Sequence, residues 1–265
     1  MVTAAGGVGI GPAPDGFCAG AWAHTASLQR AICEHPFNRA LADGTLTEER
    51  FAFYLVQDSR YLVGFSRALA LTSARSADAE TAAFFAGSAE RALVVERSLH
   101  ADYLDRLPRP DDAGEATPVC EAYTSFLLAI AAVDDYPVAC AALLPCFWVY
   151  QHVGETIAAG AGPTERHPYG AWIDTYADEE FARSVRTLRT IVDREAGATD
   201  VHGRRRMLAA FTRACEYEWL FWDSAWRAET WPTRRWLPQE ELEPPGPSDN
   251  PASAPAGGQR ATTPH

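Results

Sequence analysis

The 265-residue sequence contains no lysine; all 23 of its basic side chains are arginine. That excludes Schiff-base chemistry on an ε-amine and the phosphate-cradling lysine of a P-loop. Positive charge is short altogether. Against 35 acidic residues the balance is −12 at pH 7, with no basic cluster to interrupt it. Such a surface repels nucleic acid. Cysteine pairs are also missing: Cys18, Cys33, Cys120, Cys140, Cys146 and Cys215 form no C-x-x-C motif. Common zinc and thioredoxin-like spacings are therefore absent. No apolar run is long enough to span a bilayer, and no charged start followed by an apolar stretch marks a signal peptide. The expectation is a soluble, cytoplasmic protein with reduced thiols, no membrane or nucleic-acid partner, and no metal.

What is present is apolar and helical. Hydrophobic residues make up 47% of the chain, enough for one sizeable core. Residues 1–16 and 241–265 are rich in Gly, Ala and Pro and read as disordered segments around one helical domain, 17–240. No alternating strand pattern of useful length occurs, and no internal repeat. The fold class read from the pattern is all-α, a single-domain bundle of about eight helices.

Local signals set the boundaries. A first helix is expected over 17–33, stopping before Pro36. Thr45-x-x-Glu48 resembles a capping box ahead of a long helix over 47–75. The next runs from Ala79 to about Leu107, ended by Pro108 and Pro110. Thr117-Pro118, an N-cap followed by proline at N1, opens a helix to Val133. Further helices are expected over 137–159, 169–176, 178–196 and 201–228.

Three of these helices carry one reactive group each on an apolar stripe. In 47–75 the stripe is Phe51, Tyr54, Leu55, Tyr61, Leu62, Phe65 and Leu69, with Asp58 in its middle. In 201–228 it is Met207, Phe211, Ala214, Cys215, Phe221, Trp222 and Ala225, with Glu218 at its centre. A buried carboxyl is costly unless it is paired, hydrogen-bonded or serving a ligand. Burial raises its pKa and suits it to donate a proton near neutral pH. In 137–159 Ala139, Leu143, Cys146, Tyr150, Val153 and Ile157 share a face. Free cysteine often only packs. Three inward reactive groups with aromatic neighbours, Tyr123 among them, describe an apolar pocket with a few convergent polar groups. Glu96 and His100, one turn apart, lack the repeated Glu-x-x-His of a di-iron bundle and read as a surface pair. His35, Glu155 and Glu216 read as structural or solvent-facing. The tryptophans at 222, 226, 231 and 236 read as core or interface.

An ordered set of short motifs resembles the thiaminase II (TenA) family, over about Trp22 to Trp226. The motifs are His35-Pro36-Phe37, Asp43-Gly44-Thr45-Leu46, Gln57-Asp58-Ser59-x-Tyr61-Leu62, Ala122-Tyr123-Thr124-Ser125 and Leu143-Leu144-Pro145-Cys146-Phe147-Trp148-Val149-Tyr150. Val153-Gly154-Glu155, His167-Pro168, Trp172-Ile173-x-Thr175-Tyr176 and Glu218 with Phe221-Trp222 complete it. The resemblance implies a haem oxygenase-like helical fold and a homotetrameric enzyme of thiamin salvage that needs no cofactor. It would hydrolyse 4-amino-5-aminomethyl-2-methylpyrimidine to the hydroxymethylpyrimidine and ammonia, and in many members thiamin itself. By motif position Cys146 matches the nucleophile and Glu218 the acid/base. Asp58 matches the residue that binds the aminopyrimidine edge. Tyr61, Tyr123 and Tyr176 match orienting aromatics, and Tyr150 and Phe221 ring-packing walls. Arg60 and His152 depart from the family pattern and are expected at the rim. The alternatives are a non-catalytic pyrimidine binder and an oxygenase or quinone-cofactor enzyme on the same scaffold, since fold alone does not fix function.

Overall fold

The computed structural model describes residues 16–99, 115–160 and 163–237, with side chains throughout except at 95–99. The described residues contain ten α-helices and no strand. They are α1 Phe17–His24, α2 Ala26–Cys33, α3 Pro36–Ala42, α4 Glu48–Ala74, α5 Ala79–Leu99, α6 Pro118–Val133, α7 Tyr136–Gly160, α8 Gly170–Ala177, α9 Glu179–Ala198 and α10 Val201–Arg227. The described residues up to Trp231 belong to one compact unit; the 3-10 turn Pro232–Trp236 belongs to a second.

The caps follow from the residues in place. Thr47 accepts from the Arg50 N–H, Thr117 from Cys120, Asp178 from Glu180 and Phe181, and Asp200 from Gly203. Acidic residues occupy the first turns of α4 and α9, where the helix dipole favours them. Asp43-Gly44 turns the chain with Gly44 at φ +67, a region open to glycine.

Two expectations at the N-terminal end are corrected. The single helix over 17–33 is two, broken at Thr25, whose hydroxyl donates to the Ala21 and Trp22 carbonyls. Pro36 does not only stop a helix; it starts one. It stands at N1 of α3, and the His35 ring caps that helix by accepting the Phe37 N–H at 3.2 Å. These two differences raise the count from eight to ten. The expected end of the third helix near Leu107, its stops at Pro108 and Pro110, and His100 lie outside the described residues. So do the Glu96 side chain, residues 1–15 and residues 238–265.

Helix α7 is the hub: α2, α3, α4, α6, α8, α9 and α10 all pack on it. From Val138 to Phe147 every residue is buried, as a helix apolar on all sides must be. Pro145 interrupts its ladder one residue before Cys146, removing the N–H that would bond the Ala141 carbonyl. Gly154 lets α8 approach closely. A Cβ there would lie 2.7 Å from the Tyr176 Cβ and 2.9 Å from its backbone carbon. Gly154→Ala is therefore expected to force α8 away and cost roughly 1–3 kcal/mol by overpacking. Denaturant unfolding checks this; unchanged stability contradicts the close approach.

Candidate active site

A cavity of about 120 Å³ opens between α4, α5, α7, α8 and α9. Asp58, Tyr61, Cys146, Tyr150 and Tyr176 line its buried part, with Leu62, Phe65, Phe147 and Phe181 as apolar wall. The volume is of the order of the roughly 150 Å³ that admits a benzene ring. One six-membered ring fits; a second would sit at the mouth.

Asp58 is 2% exposed and accepts no hydrogen bond from any described residue. Burial alone pushes its carboxyl up to about 7. A carboxyl left unpartnered on a cavity wall is set to receive N–H donors from a ligand. Glu218 is buried as deeply, but behind the wall rather than on it. Burial pushes its carboxyl up to about 8, the Tyr123 hydroxyl donating to its Oε1 at 2.6 Å opposes this, and the Asp58 charge adds to it. At neutral pH Glu218 therefore carries a proton.

Cys146 is 8% exposed, at the cavity surface. Burial pushes its thiol well above the ordinary range, and the Glu218 charge adds to that. The Tyr61 hydroxyl pulls the other way, and Asp58 adds the smallest upward influence. The Tyr61 hydroxyl itself makes no hydrogen bond of normal geometry. The resting site thus holds a thiol, not a thiolate. Reaction at sulfur needs the proton to leave as a bond forms, with an acid on hand for the partner atom.

Aromatic packing holds these groups in place. Tyr61 lies 4.9 Å from Tyr123 and 5.6 Å from Phe221 between ring centroids, and Tyr150 lies 4.9 Å from Tyr176. The Trp172 indole donates to the Tyr54 hydroxyl at 3.2 Å, and Tyr54 points its own hydroxyl at Tyr150, a long 3.5 Å away. The Tyr150 proton is left for whatever enters. Trp222 stacks on Tyr54 from α10.

Of the eight residues singled out from the sequence, five line the cavity: Asp58, Tyr61, Cys146, Tyr150 and Tyr176. Glu218, Tyr123 and Phe221 form the layer behind Tyr61. Arg60 and His152 do not line the cavity, against the rim placement expected for them. Arg60 is exposed, and His152 packs edge-on against Trp22. His35 is structural: besides capping α3 it lies 3.6 Å from Asp223. Glu216 pairs with Arg213 at the surface, and Glu155 accepts from Gln151 on its own helix. Trp222 is buried, Trp226 lies under the Arg50 guanidinium, Trp231 donates to the Ala116 carbonyl and Trp236 is exposed.

Sequence reasoning missed the α5 and α9 contributions, Ser88, Arg91, Phe181 and Ser184. A signal for the first existed. Phe85, Ser88, Ala89 and Ala92 form a buried stripe with one polar member, the pattern that drew attention to Asp58.

The described residues form an all-helical fold around a ring-sized cavity bearing a thiol and a carboxyl. Its architecture is that of a Shewanella denitrificans domain of heme oxygenase-like fold, at TM-score 0.64 and 14% identity over 80% of this chain and 92% of that one. The chain belongs to the TENA/THI-4/PQQC family, whose sequence profile matches residues 22–228. A TenA homologue from P. horikoshii superposes with TM-score 0.71 at 32% identity, covering 80% of this chain and 99% of that chain. The aminopyrimidine aminohydrolase of Bacillus subtilis is 32% identical over 74% of this chain and 84% of its own length. The thiamine biosynthesis multifunctional protein ThiED of Corynebacterium efficiens is 39% identical over 78% of this chain. The chain spans only about a quarter of the length of such multifunctional relatives, 28% in that case and 26% for Corynebacterium glutamicum.

Proposed function

We propose that the protein is an aminopyrimidine aminohydrolase of thiamin salvage. It converts 4-amino-5-aminomethyl-2-methylpyrimidine and water to the hydroxymethylpyrimidine and ammonia. The observation that carries this reading is one cavity, sized for one ring, with a thiol and an unpartnered carboxyl on its wall and a protonated carboxyl directly behind. Family membership and the aminohydrolase relatives support it.

The chemistry follows from the protonation states. Asp58, as carboxylate, accepts from the exocyclic amine. Glu218, from behind Tyr61, is the source of the proton that reaches a ring nitrogen and makes the neighbouring ring carbon electron-poor. Cys146 sulfur bonds to that carbon as its own proton is released, restoring a proton to the Glu218 side. Ring electrons then expel the protonated amine from the methylene carbon as ammonia. Water adds to the exocyclic methylene and loses a proton, the C–S bond breaks, and the thiol recovers its hydrogen. Tyr123 holds the acid through its hydrogen bond and Tyr61 stands beside the thiol; Tyr150 and Tyr176 pack around the ring, with Phe221 behind Tyr61. Thiamin enters the same scheme with its thiazole as leaving group. No metal or organic cofactor takes part.

The direct test is incubation of the protein with the aminomethylpyrimidine: ammonia and hydroxymethylpyrimidine form in equal amounts, and release of neither contradicts the reading. The pH profile is a second test. Asp58 must be ionised and Glu218 protonated. The kcat/KM profile is then a narrow bell, rising through about 7 and falling through about 8. Its limbs belong to the pair as a whole. A profile flat from pH 5 to 9 contradicts these roles.

The assembly is proposed as a homotetramer in a reducing cytoplasm, where the six free cysteines stay thiols. Exposed Leu71 and Val133 are available to contacts between copies. Light scattering at about four times the 28.9 kDa chain mass supports the tetramer; a monomer mass overturns it. No described helix is long and apolar enough to cross a membrane.

A further inference from the structure

The cavity has a chemical gradient from floor to mouth. Asp58, Cys146 and Ser88 on its lining are buried, Thr175 and Ser184 are half-buried, and Arg91 is exposed. Arg91 is the one cation on the lining, and its side chain is exposed. Its Nη2 donates to the Ser88 hydroxyl oxygen at 3.1 Å, and among the described residues it makes no ion pair. Four of its five N–H donors are thus uncommitted within the described structure.

The hydroxyls divide into two kinds. Thr175 donates to the Ala171 carbonyl at 2.8 Å, and Ser184 to the Glu180 carbonyl at 3.2 Å, so both protons are spent on their own helices. Ser88 accepts from Arg91 and keeps its proton. Arg91 at the mouth and the buried Ser88 hydroxyl beneath it therefore make a donor pair, in a protein whose net charge of −12 otherwise repels anions. A guanidinium fork suits phosphate oxygens geometrically as well as by charge.

We infer that Arg91 and Ser88 select substrates whose leaving group carries an anion, a phosphate monoester on the side of the molecule away from the pyrimidine. The inference rests on the aminopyrimidine reading. With the pyrimidine amine on Asp58 and its methylene at Cys146, a ring-sized cavity leaves the rest of the substrate at the mouth. A phosphate carried there meets Arg91, and one without it leaves the guanidinium in water.

The test uses the full chain with Cys146→Ser, which holds ligand without completing turnover. Calorimetric titration compares thiamin monophosphate with thiamin at low ionic strength. The phosphate ester is expected to bind about five- to tenfold more tightly, and the advantage to shrink as salt rises. Arg91→Gln in the same background should erase the difference, and Arg91→Lys should keep part of it. Equal affinity for the two ligands, or a difference that survives Arg91→Gln, overturns the inference. Failure of the aminopyrimidine reading shows separately, as wild-type protein that releases no ammonia from the aminomethylpyrimidine.

Discussion

Cys146→Ala is expected to lower ammonia release from the aminomethylpyrimidine by at least about 10³-fold, because removal of a nucleophile leaves only binding and acid assistance. The fold should persist. Cys146 borders a cavity, so loss of one sulfur enlarges an existing space rather than opening a new one inside packed core. Circular dichroism and thermal unfolding should match wild type closely, and product titration should still register binding. Full activity in this variant would remove the thiol from the chemistry and leave Asp58 and Glu218 without a nucleophile to serve.

Glu218→Gln separates catalysis from stability. The amide holds the Tyr123 hydrogen bond but cannot give up a proton, so turnover should fall by roughly 10²–10⁴-fold. Stability should move the other way as pH rises. Glu218 has a pKa of about 8 in the folded protein against 4.5 for the free side chain. Below 4.5 both states bind the proton and there is no penalty. Between 4.5 and 8 the unfolded chain ionises while the folded one resists, so wild-type stability falls with pH and levels off above 8. The variant lacks this slope. Compared at pH 5 and pH 9, the stability difference should shift in favour of Glu218→Gln by on the order of a few kcal/mol. Any cost of the buried amide nitrogen appears as an offset common to both pH values. A difference that does not change between pH 5 and 9 contradicts a buried, protonated Glu218. Asp58 makes a parallel contribution, through its own rise from 3.8 to about 7.

The parts of the site visible in the sequence were those a single helix can encode. Asp58, Glu218 and Cys146 each break or centre an apolar stripe, and a helical period of 3.6 residues places them inward without knowledge of neighbours. All three are buried. What a helix cannot encode is which neighbour it faces. That is why the α5 and α9 wall escaped notice, and why Glu218 lies behind Tyr61 rather than on the cavity surface. Arg60 and His152 were expected at the rim because they depart from the family motifs around Asp58 and Tyr150, yet a step of two along a helix turns a side chain through more than half a turn. Proline misled in one place and informed in another. Pro118 after Thr117 opened α6 as expected, whereas Pro36 was read only as a stop, because proline disfavours helix in the residue before it, and its place at N1 behind a His35 cap was not read. The thiol also changes meaning in three dimensions. As a core cysteine it would be filler; at the wall of a ring-sized cavity, beneath an unpartnered carboxyl and ahead of a protonated one, it is placed to react.

The structure of the protein with bound 4-amino-5-hydroxymethyl-2-methylpyrimidine tests the central claim most directly. The ring should lie in the cavity with its amine on Asp58, a ring nitrogen towards Glu218, and the Cys146 sulfur about 3–3.5 Å from a ring carbon, the separation of a reactive pair. A ring bound in the surface groove between His24 and Glu216, or bound in the cavity with its electron-poor carbon turned away from Cys146, would contradict it.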